Sequence, residues 1–108
     1  MENKNFTSNF KEISQVVLGM LSDNKEETFK TQFLLRKLDL NVVQLKKIIH
    51  YLRVQGQPII SKGGGGYFYT DDKLEVIQMS LSLRLRAERI LQAAEGLSVY
   101  NKTEINFI

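Results

Sequence analysis

The chain has 108 residues, 43% hydrophobic and 25% charged, which is the composition of one small globular domain. It contains no cysteine, which excludes disulfides, thiolate metal sites and cysteine nucleophiles. No apolar run approaches the roughly 18 residues of a membrane span. The first residues lack the apolar core of a signal peptide, so we expect a cytoplasmic protein.

Three helices are predicted in the first half of the chain. Apolar residues recur at three- and four-residue steps over residues 10–21, which indicates the first helix. Residues 28–30 are β-prone, and residues 31–38 form a second, shorter helix that Thr31 can cap, with apolar positions at Phe33, Leu34, Leu35 and Leu38. A short turn with a buried Leu40 leads to Asn41, which caps a third helix. This arrangement is a helix-turn-helix.

The third helix has two different faces. Its apolar face consists of Val42, Leu45, Ile48, Ile49 and Leu52. Its other face consists of Gln44, Lys47 and Tyr51, with Val43 and His50 to one side. The first face predicts packing on a core, and the second predicts contact with solvent or a ligand.

A glycine-rich hairpin follows the third helix. Gly56 suits the left-handed position that ends a helix, and Pro58 prevents the helix from resuming. The β-prone residues 58–60 and 67–69 flank four consecutive glycines at 63–66, which supply the positive φ angles of a tight turn. Within residues 67–69 either Phe68 points inward and the tyrosines outward, or the reverse.

Residues 71–97 have an ambiguous pattern. Apolar residues alternate over residues 79–87 as in a strand, but a helical stripe also runs from Val76 to Leu97. The length of the segment and its Ala, Leu, Glu and Arg content favour a helix, with adjacent acids at its start. A second apolar set on this helix is either buried within the monomer or forms a homodimer interface: Leu74, Ile77, Leu81 and Leu85. Residues 98–108 are predicted to be a short tail.

Positive charge is concentrated in one part of the chain. Residues 30–70 contain seven basic residues and one acid, a net charge of +6, whereas the segments before and after carry −2 and −1. Such a concentration is typical of a surface that binds phosphates, although a solvated surface with chance clustering gives the same count.

The third helix and the hairpin together resemble the winged helix-turn-helix superfamily. The resemblance covers roughly residues 10–70 and depends on Leu52-Arg53, Gly56, Pro58-Ile59 and Gly66-Tyr67. It is closest to small bacterial and phage-type domains, and the DNA-binding domain of biotin-ligase repressors is similar in this stretch. The resemblance implies a mostly α, α+β fold with a three-helix core, a β-hairpin wing and here a long C-terminal helix. Residues 1–70 would be the DNA-binding domain.

The resemblance also implies which residues contact DNA. The third helix would enter the major groove, with Gln44 reading an adenine edge and Lys47 a guanine edge or a phosphate. The helix N-termini at Thr31 and Asn41 would hold phosphates through their amides. The remaining candidates are Lys30, Val43, Lys46, Tyr51, Lys62, Gly64 and Gly65. The wing departs from the common pattern because its tip carries glycines where arginine or lysine is usual, so we expect weak to moderate affinity from a monomer.

Other sites are disfavoured by the residues themselves. The glycine run lacks the G-x-x-x-x-G-K-[ST] order of a nucleotide cradle, and His50 has no cysteine or second histidine as a metal partner. Asp71 and Asp72 suit a helix cap better than a catalytic pair. A second nucleic-acid patch at Arg84, Arg86 and Arg89 competes with local pairing of Arg84 to Glu88.

The sequence therefore predicts a non-enzymatic, sequence-specific binder of double-stranded DNA without a cofactor. It would be a transcriptional regulator or a mobile-element replication factor that acts as a homodimer. The alternative is a winged-helix protein-interaction module that docks a partner through its hairpin or its Leu81 and Leu85 face.

Overall fold

A computed structural model of the protein describes residues 5–105, with side chains up to residue 100. In chain order it contains helix α1 (Phe10–Ser22), strand β1 (Phe29–Lys30), helices α2 (Thr31–Leu38) and α3 (Val42–Val54), strands β2 (Ile59–Lys62) and β3 (Gly66–Tyr69), and helix α4 (Lys73–Ile105). The described chain is thus α+β and mostly helical, and its elements follow the predicted order.

The chain forms two compact units, with the boundary between Val76 and Ile77. The first unit contains α1 to β3 and the first turn of α4, and the second contains the rest of α4. The core of the first unit is built from apolar residues of the first three helices, of the α2–α3 turn and of β2. It consists of Val17, Leu21, Leu34, Leu35, Leu40, Leu45, Ile48, Ile49, Leu52 and Ile59.

The three strands form an antiparallel sheet in the order β1-β3-β2. Ile59 pairs with Tyr69 and Lys62 with Gly66 across the hairpin, while Phe29 pairs with Tyr67 at the other edge. Core residue Ile59 pairs with Tyr69, and Tyr67 and Tyr69 both pack against the core, whereas Phe68 pairs with Ile60 and is buried outside that core cluster. Of the two predicted orientations, the structure therefore has the tyrosines on the core face of the sheet and Phe68 on the opposite face.

The turns around α3 follow from local chemistry. Asp39 ends α2 in the left-handed conformation with φ of 52°, and Leu40 is fully buried in the turn, as predicted. Asn41 caps α3, and Gly56 after its end has the expected positive φ of 90°. The sequence places the cap of α2 incorrectly: Thr31 is its first helical residue, and Lys30 stands at the cap position without a side-chain cap bond.

Three further predictions need correction. Phe33 and Val42, which the helical pattern assigned to the core, are exposed. The tail predicted from residue 98 is helical up to Ile105, and residues 106–108 lie outside the described residues. Helix α4 continues because Gly96 costs only about 1 kcal/mol in a helix interior and no proline follows it.

The start of α4 agrees with the prediction. The Asp72 carboxylate accepts the Leu74 N–H at 2.9 Å, so an acid serves as the predicted cap.

Candidate nucleic-acid interface

Helix α3 is oriented by its buried face. Leu45, Ile48, Ile49 and Leu52 lie in the core, and this leaves the opposite side of the helix in solvent. The outward residues fall on successive turns and mix cations with small apolar groups: Val43, Lys46, Lys47, His50 and Val54. We call these five residues the α3 face. Val43, Lys46 and Lys47 are therefore exposed where the sequence predicted them.

Gln44 does not belong to the α3 face. Its side chain is only 8% exposed, and its Oε1 accepts the Asn41 N–H at 3.0 Å. In return the Asn41 Oδ1 accepts the Gln44 N–H at 2.8 Å, which completes a capping box. The prediction that Gln44 lies on the solvent face is wrong, because its amide group is used to begin the helix.

The two helix N-termini predicted to hold phosphates have intramolecular partners instead. The Thr31 N–H donates to the Gly65 carbonyl at 3.2 Å, which ties the start of α2 to the hairpin. The Asn41 N–H donates to Gln44, as described. Both amides are already hydrogen-bonded, so neither is suited to the phosphate contact that the resemblance implied.

Tyr51 lies at the border between the core and the α3 face. Its half-buried ring packs edge-to-face on Phe10 with centroids 5.0 Å apart, and Phe10 packs on Phe6 at 5.3 Å. These aromatic rings line one wall of a shallow groove of about 900 Å³, and the α3 face lines the other. One wall of the groove is therefore aromatic, and the other carries Lys46 and Lys47. The sequence pattern did not identify Phe6 and Phe10 as site residues.

A second basic surface lies on α2. Lys30, Arg36 and Lys37 surround the exposed Phe33 and, with Gln32, line a smaller concavity of about 450 Å³. Phe33 is held against Phe29, with ring centroids 6.1 Å apart. The sequence predicted Lys30 as a site residue, whereas Arg36 and Lys37 were predicted only as part of the positive charge of residues 30–70. Arg36 and Lys37 follow Gln32 and Phe33 by four positions on one short helix, and this spacing indicates that the four side chains lie close together.

The β2–β3 hairpin presents backbone and one cation. Gly64 and Gly65 are exposed and have φ of 98° and 88°, which only glycine adopts without strain. Lys62, at the base of the hairpin, is exposed and its Nζ lies 5.4 Å from the centroid of the Phe68 ring. The tip therefore allows a close backbone approach, with a single positive charge beside it.

The charge of residues 30–70 divides into exposed and structural parts. Arg53 is half-buried and links α3 to β2: its Nε donates to the Ile59 carbonyl at 2.8 Å and its Nη2 to the Ser61 hydroxyl at 2.9 Å. The other basic residues of this segment are exposed and form no ion pair among the described side chains: Lys30, Arg36, Lys37, Lys46, Lys47 and Lys62. Six cations remain for a polyanion.

The residues predicted for a dimer interface are all more than half exposed on α4: Leu74, Ile77, Leu81 and Leu85. Arg84, Arg86 and Arg89 are exposed as well. Among the described residues, no helix combines the length and apolar content needed to cross a membrane. The described His, Asp and Glu side chains do not form a group of three or more that suits a metal ion.

Comparisons of the chain with protein-family models, with curated proteins and with solved structures found no match.

Proposed function

We propose that the protein is a sequence-specific binder of double-stranded DNA with a winged helix-turn-helix fold, acting as a transcriptional regulator or a mobile-element replication factor. The observation that carries the proposal is the α3 face, which exposes Lys46 and Lys47 while the opposite side of the same helix is buried. A major groove about 12 Å wide admits one such helix.

Each exposed group has a role that its chemistry suits. Lys47 and Lys46 contact a guanine edge or phosphates, and Val43 packs against a thymine methyl group. Lys30, Arg36 and Lys37 neutralise phosphates beside the major groove of the DNA. The hairpin is the wing, where the bare Gly64 lets the backbone approach the DNA and Lys62 adds a phosphate contact. Gln44, Thr31 and Asn41 have no DNA contact in this proposal, because their groups are used within the fold.

The wing and the single recognition helix give one copy a modest number of contacts. We infer that the protein acts as a homodimer joined through α4, since two linked half-site contacts raise the overall affinity well above that of one.

Fluorescence anisotropy tests the proposal, with a duplex obtained by random-site selection and a series of salt concentrations. We expect binding that weakens steeply with salt, and a loss of about tenfold or more in affinity for Lys47→Glu. Lys11→Glu makes the same charge change on the exposed surface of α1 and is expected to stay within about twofold of the unsubstituted protein. Equal affinities for both variants would remove α3 as the recognition helix.

A winged-helix module that binds a protein without DNA is the second candidate, favoured by the groove beside the α3 face. Its aromatic wall of Phe6, Phe10 and Tyr51 suits the side chains of a partner better than a phosphate backbone. Retention on heparin or mixed-sequence DNA separates the two candidates. A chain that passes through both columns at low salt, yet binds one protein, supports the second.

A further inference from the structure

Helix α4 carries two sets of residues that repeat every seven positions. The large set is Val76, Leu83, Ile90 and Leu97, and the small set is Ser80, Ala87 and Ala94. Each small residue follows a large one by four positions, so both sets lie on one side of the helix. We call this side the α4 seam. A seven-residue repeat of this kind is the pattern of a coiled coil.

The seam is most exposed in its C-terminal half. Ile90 and Leu97 are 62% and 72% exposed, all three small residues are exposed, and Val76 and Leu83 are half-buried. We propose that the α4 seam pairs with the seam of a second copy of this chain, with the two helices antiparallel. The proposal specifies the homodimer named under the proposed function and does not depend on DNA binding.

The sizes of the seam residues favour the antiparallel direction. In an antiparallel pair each layer combines one position of the small set with one of the large set. Ser80 then faces Leu97 of the second copy, Leu83 faces its Ala94, and Ala87 faces its Ile90. In a parallel pair each seam residue faces the same residue of the second copy. Every second layer would then contain two small side chains and leave a void. The antiparallel pair fills the layers between Ser80 and Leu97 evenly.

The charges beside the seam contribute contacts of both signs. In the antiparallel register Arg84 lies within two residues of the level of Glu95 of the second copy, about 3 Å along the axis, on the same flank of the pair. Parallel pairing would instead bring Arg84 and Arg86 of both copies to one level. In the same register Arg86 lies within two residues of the level of Arg89 of the second copy, so the antiparallel pair gains two contacts between opposite charges and two between like charges. The direction therefore rests on the sizes of the seam residues.

The seam also continues further than the face first predicted for the dimer. That face consists of Leu74, Ile77, Leu81 and Leu85. Seven residues after Ile77 and Leu81 the chain has Arg84 and Glu88, so the apolar face ends there, whereas the seam reaches Leu97. The longer face is the better interface, so the contact moves to the neighbouring side of α4.

Disulfide cross-linking of the full chain tests the proposal without DNA. The chain has no cysteine of its own, so introduced cysteines report on one contact each. We expect the double variant Ser80→Cys, Leu97→Cys to form a covalent dimer under mild oxidation, as will a mixture of the two single variants. Each single variant alone is expected to give no cross-link, because its two cysteines would lie 17 residues apart, about 25 Å along the pair. Light scattering of the unsubstituted chain should give the mass of a dimer.

Three results would overturn the proposal. A monomeric mass excludes pairing, a cross-link in Ser80→Cys alone shows a parallel pair, and a dimer without a cross-link in the double variant places the contact on another face. Charge reversal provides a milder variant: Glu95→Arg should raise the dimer dissociation constant several-fold, and adding Arg84→Glu should restore it. A failure to bind DNA leaves each of these results unchanged, so the two proposals fail separately.

Discussion

Asn41 and Gln44 satisfy each other at the start of α3. The Asn41 carboxamide accepts the Gln44 N–H at 2.8 Å, and the Gln44 carboxamide accepts the Asn41 N–H at 3.0 Å. The side chain that a helical wheel assigns to the DNA is therefore used to hold the helix that carries the α3 face. Asn41 and Gln44 therefore position the α3 face but do not belong to it.

Replacing Gln44 tests this role. We expect Gln44→Ala to lower the free energy of unfolding by about 1 kcal/mol, because the Asn41 N–H loses its acceptor. Gln44→Glu keeps the acceptor, places a negative charge at the helix N-terminus, and should remain close to the unsubstituted protein. Urea unfolding followed by circular dichroism measures both variants. An unchanged urea midpoint for Gln44→Ala together with weaker DNA binding would return Gln44 to the recognition surface.

Gly66 allows β3 to lie close to β1. A Cβ at this position would lie 2.8 Å from the Thr28 Cγ2 and 3.1 Å from the Phe29 carbonyl oxygen. We expect Gly66→Ala to destabilise the fold by about 1–3 kcal/mol through this overlap. Gly63→Ala is the matched control, since no atom lies within 4 Å of its Cβ, and it should stay within about 0.5 kcal/mol.

Thermal or urea unfolding of the two glycine variants gives the comparison directly. Thr28→Ser removes the methyl group at 2.8 Å and should recover part of the loss in Gly66→Ala. Similar stabilities for Gly63→Ala and Gly66→Ala would show that β1 does not pack on β3 in solution.

Lys25 and Asp71 form an exposed ion pair at 3.0 Å. The hydrogen bond from Lys25 to the Asp71 carboxylate, and then its negative charge, raise the pKa of Lys25 above the ordinary lysine value. A lysine whose pKa is raised in the folded state stabilises that state. The stabilisation is fully present at pH values below the lysine pKa of the unfolded chain, and it is lost as the pH rises through the lysine pKa of the folded state. The contribution is therefore constant near neutral pH and disappears in the alkaline range above about pH 10.

Asp71→Asn should lower the Lys25 pKa toward the ordinary value, as measured by NMR titration of its side-chain carbon and nitrogen signals. Asp72→Asn changes the adjacent acid, whose carboxylate caps α4, and should leave the Lys25 pKa in place. If both variants gave the same Lys25 titration, the ion pair would not be formed in solution.

The helical periodicity of the sequence predicted α3 well because its apolar face is strongly marked. Leu45, Ile48, Ile49 and Leu52 are all buried, and the turn residues Leu40 and Gly56 adopt the expected environments. Gln44 was misplaced because residues 44 and 45 are 100° apart on the helical wheel and both can lie at the edge of a core. The Asn41-x-x-Gln44 spacing is a capping-box signal that would have identified its role.

The groove beside the α3 face was beyond the reach of the sequence pattern. Its aromatic wall combines Phe6, from the segment before α1, and Phe10 of α1 with Tyr51 of α3. Tyr51 is far from the two phenylalanines in the chain. Periodicity describes one element at a time and does not specify which side chains from different elements meet. The end of α4 was missed for a different reason, since Gly96 was given more weight than an isolated glycine deserves in a helix of 33 residues.

An amide NMR titration with a selected DNA duplex tests the central claim most directly. The account predicts shift changes concentrated on Val43, Lys46, Lys47 and His50, with smaller ones at Arg36, Lys37 and Gly64, and little change in α1 outside the groove. Salt should reverse these changes. Shift changes absent from the α3 face, or confined to α4, would contradict the claim that α3 is the DNA-reading helix.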